Sequence, residues 1–301
     1  MENHKAGYVA IIGLPNAGKS TLLNTILGQK LTITSPKPQT TRKKILGILS
    51  EENYQIIFID TPGILKPSYL LQEKMLKYIV KSLNDADVLY IVIDIVNDPF
   101  AKKFMETDVF NKLEQIKCKK ILILNKIDIY VQKNINELYD YYKYLKFFDH
   151  LIAVSATNGY NIEELKKMTI DLLPLHPKYY PEEYVSDENE RFFVAEIIRE
   201  QIFNLFGEEI PFSCEVLIND FKERSSGKDF IDASIVVERD SQKPIIIGKQ
   251  GKKIKQLGEL ARKEIENFLE REVFLQLNVI VKENWRQNPQ LLNKFGYIDE
   301  R

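Results

Sequence analysis

Short apolar runs, rich in β-branched side chains, recur through the first 173 residues of the chain. They lie at residues 8–12, 56–59, 88–93, 121–124 and 151–154. Longer segments with helical spacing of apolar positions, such as residues 70–83 and 104–116, separate most of them. Apolar strands that alternate with helices predict an α/β fold with a doubly wound, mostly parallel sheet covered on both faces. Such a sheet binds ligands at the carboxyl ends of its strands.

The pattern changes after residue 173. Residues 174–190 hold three prolines and five carboxylates against one lysine, which predicts a linker because proline interrupts helices and like charges extend the chain. The elements predicted beyond it are a helix over 191–206, strands over 212–218 and 230–238, an amphipathic helix over 252–270 and a strand over 272–282. The chain is therefore predicted to comprise a first domain over 1–173, a linker over 174–190 and a small α+β domain over 191–301.

Composition agrees with a two-domain globular protein. The 301 residues are 44% hydrophobic and 28% charged, which excludes a disordered chain. The only two cysteines, Cys118 and Cys214, are far apart, so a disulfide scaffold or a zinc module is not expected. No apolar run reaches the ~18 residues that span a bilayer, and the first seven residues contain no apolar segment that would direct export. These features favour the cytoplasm.

The first chemical motif follows the first predicted strand directly and precedes a helical run. It reads GLPNAGKST and matches the GxxxxGK[ST] phosphate loop. Its backbone N–H groups would bind phosphates at a helix N-terminus, with Lys19 between the β- and γ-phosphates and the Ser20 hydroxyl on Mg²⁺. The residues expected to bind nucleotide here are Gly13, Leu14, Pro15, Asn16, Ala17, Gly18, Lys19, Ser20 and Thr21.

Three further segments, each at the end of a predicted strand, indicate which nucleotide binds. DTPG supplies an aspartate for Mg²⁺ and a glycine N–H for the γ-phosphate, and NKID supplies a carboxylate that pairs with guanine but would remain unpaired with adenine. A backbone N–H of the third segment would meet guanine O6. The residues concerned are Asp60, Thr61, Pro62, Gly63, Asn125, Lys126, Asp128, Ser155 and Ala156. The sequence therefore predicts a site for GTP and GDP.

Residues 30–42 are polar and lie between the phosphate loop and DTPG, where GTPases carry a switch segment. Either Thr40 or Thr41 is expected to reach Mg²⁺ when the γ-phosphate is present. Ras-like GTPases orient the attacking water with a glutamine after the DxxG glycine, but this chain has Ile64 there. Hydrolysis is therefore expected to be slow or to use another group. Asn16 is a candidate for holding a monovalent cation, or it simply forms a hydrogen bond within the loop.

A basic cluster marks the C-terminal domain. Residues 239–263 carry eight Lys and Arg against two carboxylates, a local charge of +6, although the whole chain, with 42 basic and 43 acidic residues, has a net charge of −1. The cluster contains a GxxG segment between an apolar stretch and a long helix, as in KH modules that clamp single-stranded RNA. The residues expected to contact RNA are Ile246, Ile247, Gly248, Lys249, Gln250, Gly251, Lys252 and Lys253.

Together these motifs resemble the Era family of bacterial GTPases over nearly the whole chain. The resemblance rests on GLPNAGKST, PQTTR, DTPG, NKID and SAT, on IIIGKQGKKIKQLGELARKEI, and on the ending NWRQNPQLLNKFGYIDE. It implies a P-loop GTPase domain followed by a type II KH domain. It also implies that an apolar residue at Ile64 is typical of the family, favours Thr41 over Thr40 as the Mg²⁺ ligand, and links Asn16 to K⁺.

The resemblance further implies a function in assembly of the 30S ribosomal subunit, through binding of the 3′ end of 16S rRNA. The implied cofactors are GTP or GDP, Mg²⁺ and K⁺, and the catalytic residues would be Lys19, Thr41, Asn16 and Gly63. A monomer in the cytoplasm is expected, with peripheral contact to the inner membrane. Rival interpretations are a signalling or membrane-docking GTPase whose GxxG domain binds protein, and a tRNA-modification GTPase, although the C-terminal half has no matching catalytic cysteine motif.

Overall fold

The computed structural model describes residues 4–130 and 135–298, and these form two compact units. Unit 1 comprises Met1–Pro67 with Met75–Asp187, and unit 2 comprises Ser68–Lys74 with Glu188–Arg301. Within the described residues, no helix has the length and apolar character needed to cross a bilayer.

A six-stranded sheet forms the centre of unit 1. Its strands are β1 (Lys5–Ile12), β2 (Ile45–Ser50), β3 (Tyr54–Asp60), β4 (Val88–Asp94), β5 (Lys119–Asn125) and β6 (His150–Val154), in the spatial order β2-β3-β1-β4-β5-β6. All neighbours pair in parallel except β2, which runs antiparallel to β3 at the edge. The predicted mostly parallel sheet is thus confirmed. The unexpected strand is β2, where Gly47 interrupts the apolar run and weakens the strand signal.

Helices cover both faces of this sheet. They are α1 (Lys19–Leu27), α2 (Leu70–Asp85), α3 (Lys102–Met105), α4 (Asp108–Lys112), α5 (Ile135–Lys143) and α6 (Ile162–Leu172). One apolar core lies beneath α1 and α6, and a second includes residues of α2, α3, α4 and α5. The prediction of one continuous helix over residues 104–116 is wrong, because the structure has separate short helices there. The Thr107 hydroxyl accepts a hydrogen bond from Phe110 N (3.2 Å), so a new helix begins there.

The predicted linker, residues 174–190, packs on unit 1 as far as Asp187. Gln55 holds its centre, because Gln55 Oε1 accepts from Tyr180 N (3.0 Å) and Gln55 Nε2 donates to Tyr180 O (2.9 Å). Farther along, Ile48 N donates to the carbonyl oxygen of Val185 (2.9 Å). A segment whose composition favours extension is therefore fixed along the edge of the sheet by hydrogen bonds.

Unit 2 is built on a three-stranded sheet. Its elements are α7 (Glu190–Leu205), α8 (Ile210–Ser213), β7 (Glu215–Lys222), β8 (Asp229–Val237), α9 (Lys243–Ile247), α10 (Lys252–Leu269), β9 (Val273–Val281) and α11 (Pro289–Lys294). The strand order is β7-β8-β9, with β7 antiparallel and β9 parallel to β8. Residues of α7 and α10 share one apolar core with the sheet. The predicted α+β class is confirmed, with the short helices α8, α9 and α11 added.

Candidate functional site

The phosphate loop connects β1 to α1, at the carboxyl end of a central strand. Lys19, the first residue of α1, is buried, and its Nζ donates to the carbonyl oxygens of Gly13 (3.2 Å) and Leu14 (3.1 Å). Burial lowers the Lys19 pKa to about 8, although the nearby Asp60 carboxylate partly opposes this shift. The ammonium is thus held inside the loop, where an incoming polyphosphate would neutralise it.

Asn125 ties three of the predicted motifs together. Its Nδ2 donates to the carbonyl oxygen of Ala17 (2.8 Å), and its Oδ1 accepts from Ala156 N (3.0 Å). Gly18 must be glycine here, because its φ is +92° and a Cβ would lie 2.2 Å from Asn125 Nδ2. The phosphate loop and the two predicted guanine-binding segments therefore form one connected structure.

Three oxygen atoms converge where Mg²⁺ is expected. Ser20 Oγ donates to Asp60 Oδ2 (2.7 Å), and Thr41 Oγ1 lies 2.9 Å from Ser20 Oγ and 3.4 Å from Asp60 Oδ2. The second carboxylate oxygen, Asp60 Oδ1, is buried and has no hydrogen-bond partner among the described residues. Burial raises the Asp60 pKa to about 6, against the opposing effect of Lys19 and the two hydroxyls. Hydroxyl and carboxylate oxygens in this arrangement fit a hard cation such as Mg²⁺.

The structure distinguishes the two candidate switch threonines. Thr41 lies beside Ser20 and Asp60, as described above, whereas Thr40 Oγ1 donates to the carbonyl oxygen of Lys37 (2.7 Å). Thr40 therefore stabilises the turn of the switch segment, and Thr41 is the threonine whose oxygen lies where Mg²⁺ is expected.

Asn16 and the segment after DTPG border the phosphate loop. The exposed Asn16 donates through Nδ2 to the carbonyl oxygen of Pro36 in the switch segment (2.7 Å). Gly63 packs against the loop so closely that a Cβ would lie 2.7 Å from Pro15 Cα. Ile64 N donates to Gly13 O (3.0 Å), and the Ile64 side chain is buried. The position after the DxxG glycine thus offers no polar side chain to a water molecule.

The remaining predicted residues divide into supporting and accessible groups. Thr61 is buried and donates to the carbonyl oxygen of Ile11 (2.6 Å), so its side chain holds DTPG against β1. Ser155 is also buried, and its Oγ accepts from Asn158 N (3.1 Å), which shapes the last loop. Asp128 is exposed on a short 3₁₀ turn, where its carboxylate is accessible to a base.

Two residues near this site have no counterpart in the sequence-based prediction. Asn24, inside α1, accepts from Thr32 N (2.9 Å) and donates to Thr32 O (2.7 Å), which fixes the start of the switch segment. Asp94, at the end of β4, forms an ion pair with Lys126 Nζ (2.6 Å). An acidic residue at the carboxyl end of a buried strand was the available signal for Asp94. An asparagine within a helix gives no comparable signal.

The GxxG segment of unit 2 lies between α9 and α10. Gly248 has φ +72°, and a Cβ there would lie 2.8 Å from the Cβ of Lys253, so only glycine fits. Lys249, Gln250 and Gly251 form a tight turn in which Gln250 has a left-handed φ of +53°, and Lys252 begins α10. Lys253 is exposed, and its Nζ lies 5.5 Å from the centroid of the Phe206 ring at the end of α7. The loop thus exposes backbone atoms that no side chain covers, with several lysine side chains beside them.

A cleft lies along α10 and β9, near this loop. It is lined by Ile254, Lys255, Gly258, Glu259, Arg262, Leu275 and Leu277. The structure differs from the sequence-based expectation for Ile246, which is completely buried in the core and therefore cannot contact a base. Ile246 and the half-buried Ile247 lie on α9 and pack into the core beneath the cleft. The apolar surface of the cleft is formed by side chains of α10 and β9.

Comparisons with known proteins agree with this geometry. Residues 8–126 match the family described as 50S ribosome-binding GTPase, and residues 209–286 match the KH domain. GTPase Era of Clostridium botulinum is 43% identical over 293 residues, covering 97% of this chain and 98% of that protein. This chain belongs to the Era family. The chloroplastic GTPase ERA1 of Zea mays is 44% identical, covering 99% of this chain and 72% of that protein.

Solved structures of Era agree with this membership. Aquifex aeolicus Era bound to GDP·AlF4⁻ covers 98% of this chain with a TM-score of 0.89 and 38% identity, and the whole of that chain is matched. Era in complex with MgGDPNP and nucleotides 1506–1542 of 16S ribosomal RNA gives the same values. As an Era-family member, the protein binds and hydrolyses GTP, and its C-terminal KH domain is an RNA-binding module.

Proposed function

We propose that GTP binding and hydrolysis in unit 1 control how unit 2 binds the 3′ end of 16S rRNA, and that this switch acts in assembly of the 30S subunit. The observation that supports this most strongly is the match, over 98% of the chain, to an Era structure that holds both MgGDPNP and nucleotides 1506–1542 of 16S rRNA. The present protein has both a formed nucleotide site in unit 1 and an exposed GxxG loop in unit 2.

The nucleotide acts through contacts that differ between GTP and GDP. Lys19 and the backbone of the phosphate loop bind the phosphates, and Ser20, Thr41 and Asp60 would hold Mg²⁺, which supplies charge neutralisation. Thr41 belongs to the switch segment, so its contact at this site orders that segment when the γ-phosphate is present. Only such differential contacts can shift the protein between two states.

RNA binding is tested with a double substitution in the loop, Lys249→Asp/Gln250→Asp. A control, Gln256→Asp/Lys263→Asp, makes the same change of charge at exposed positions of α10 outside the loop. We expect the loop variant to lose binding of an oligonucleotide from the 3′ end of 16S rRNA, while the control binds nearly as well as wild type. If both variants bind like wild type, RNA binding at this loop is excluded and the protein-binding rival is favoured.

We propose a second role for Asn16, in K⁺-dependent hydrolysis. Asn16 Nδ2 donates to the carbonyl oxygen of Pro36, so the carboxamide is held beside the phosphate loop and its oxygen, Oδ1, is the atom that can bind a cation. Together with phosphate oxygens, Asn16 Oδ1 would hold a monovalent cation that stabilises charge during hydrolysis. Turnover is expected to be faster in K⁺ than in Na⁺ for wild type and equal in both salts for Asn16→Ala. Equal rates in both salts for wild type would discard this role.

We also propose that the protein is a cytoplasmic monomer with peripheral membrane contact only. Flotation with liposomes and sedimentation in solution test this directly. Recovery in the membrane fraction after a high-salt wash, or a concentration-dependent dimer, would contradict it.

A further inference from the structure

The sheet of unit 2 has a second face, opposite the one that packs on α7 and α10. Side chains alternate along β8 and β9, so that Ile231 and Leu275 belong to the apolar core while Phe230 and Phe274 point the other way. Phe230 pairs directly with Phe274 across the two parallel strands. Their ring centroids are 6.0 Å apart and their planes differ by 12°, so the rings stand parallel. We call this pair the phenylalanine platform.

The platform is exposed and has cations beside it. Phe274 keeps 54% of its surface exposed, more than any other large apolar side chain of unit 2 except Ile298 among the residues described. Lys222 Nζ and Arg224 Cζ lie 5.8 and 5.9 Å from the centroid of the Phe230 ring. Lys222 also forms an ion pair with Asp220 (2.6 Å). An aromatic pair with cations at its margin combines the two features that single-stranded nucleic acid needs, a stacking surface and positive charge.

The platform and the candidate RNA cleft lie on the two sides of the edge strand β9. β9 is an edge strand, and its alternation places Leu275 and Leu277 in the cleft but Phe274 on the opposite face. An RNA strand that leaves the cleft and passes around the edge strand β9 therefore reaches Phe274 on the other face of the sheet. Since every base has a π-face, stacking there requires no particular sequence.

We propose that the phenylalanine platform is a second RNA contact, which stacks a nucleobase of the strand that continues beyond the GxxG cleft. The inference rests on the proposed RNA binding of that cleft. The platform adds affinity for long oligonucleotides only, because about four nucleotides fill a KH cleft. Its occupant is single-stranded RNA, since the parallel rings and their flanking cations match the flat bases and charged backbone of that ligand.

The test compares oligonucleotides of two lengths on the full-length protein. Labelled RNAs of four and ten nucleotides are titrated against wild type, Phe274→Ala and Tyr144→Ala, a control that removes an aromatic ring exposed in unit 1. We expect Phe274→Ala to bind the ten-nucleotide RNA about tenfold more weakly, as loss of one stacked base predicts. It should bind the four-nucleotide RNA like wild type, and Tyr144→Ala should match wild type for both.

A second variant and the loop variant separate the possible outcomes. Phe274→Trp should restore long-RNA affinity, and its fluorescence should be quenched on binding the ten-nucleotide RNA. An equal loss for both lengths in Phe274→Ala, or no loss for either, overturns the proposal, and the second result leaves the platform to a protein partner. Wild-type binding by Lys249→Asp/Gln250→Asp would instead overturn the cleft itself. Failure of the platform and failure of the proposed function are thus distinguishable.

Discussion

Two buried charges of opposite sign face each other at the nucleotide site. The Asp60 carboxyl has its pKa raised by burial, and the Lys19 ammonium has its pKa lowered by burial. Each group therefore reduces the stability of the protein without ligand. Both shifts are reversed when phosphates and a metal ion enter, because each charge then gains a partner. The free energy that burial of these two charges costs the ligand-free protein is thus recovered on binding, which raises the affinity for a metal-bound nucleotide.

Asp60 gives the stability of the nucleotide-free protein a defined pH dependence. Its pKa in the folded state, about 6, lies above the ordinary value of 3.8. A carboxyl with a raised pKa contributes stability that is complete below pH ~4 and is lost as the pH rises through about 6. We expect Asp60→Asn to remove this decline, measured as the free energy of unfolding in urea between pH 4 and 7. Parallel curves for wild type and variant would contradict the assignment.

Asp94 is expected to position Lys126 in the guanine-binding segment. Burial favours a higher Asp94 pKa, but Lys126 and Asn97 more than offset this, and the pKa is lowered. Asp94→Asn should weaken GTP and GDP binding equally, by a few fold, as expected for a partly buried ion pair, with little change in kcat. Asp149→Asn is the control, since it removes an exposed ion pair with Lys119 at the other end of β5. Equal effects of both variants would argue against a positioning role for Asp94.

At the scale of residues, the sequence predicts those site residues that belong to short motifs at the ends of strands. The phosphate loop, DTPG and NKID lie at the carboxyl ends of the parallel strands β1, β3 and β5, so their placement at one edge of the sheet follows from topology. Ile246 shows the limit. An apolar residue before a GxxG loop can face either a base or the core, and the helix α9, which the sequence did not predict, turns it into the core.

At the scale of elements, periodicity predicts long amphipathic segments well and short or edge elements poorly. α7 and α10 lie within one residue of their predicted limits. β2 was missed because an edge strand with an internal glycine lacks both the continuous apolar run and a clear alternation. The segment over 174–187 has an extended composition, but hydrogen bonds to Gln55 and β2 fix it, and such long-range contacts leave no local sequence pattern.

Gln55 is expected to control the attachment of this segment. Its side chain is fully buried, and substitution by alanine would remove two part-buried hydrogen bonds to the amide and carbonyl groups of Tyr180, at about 1 kcal/mol each. Gln55→Ala should therefore speed chymotrypsin cleavage after Tyr179 by several fold, whereas the Tyr180–Pro181 bond resists this protease in both proteins. Gln29→Ala, at an exposed position, should leave the cleavage rate unchanged. Unchanged cleavage in Gln55→Ala would show that other contacts hold the segment.

At the scale of the whole molecule, the net charge of −1 conceals a strongly uneven distribution. The local +6 of residues 239–263 surrounds the GxxG loop, while the rest of the chain is acidic overall. Each phosphate contact makes binding weaker as salt rises. A confined basic patch therefore suits a single strand, and the acidic remainder disfavours nonspecific coating of long duplexes.

The proposed switch makes a thermodynamic prediction for the intact chain. If GTP increases RNA affinity by some factor relative to GDP, RNA must increase the preference for GTP over GDP by that same factor, since coupling free energies are reciprocal. We expect a factor on the order of ten, obtained by titrating RNA into the GDPNP- and GDP-bound protein, and each nucleotide into the protein with and without saturating RNA. Lys249→Asp/Gln250→Asp should abolish the effect of RNA while retaining nucleotide binding. Equal RNA affinity in both nucleotide states would mean that hydrolysis does not control RNA binding, because no differential contact would then exist for the γ-phosphate to drive.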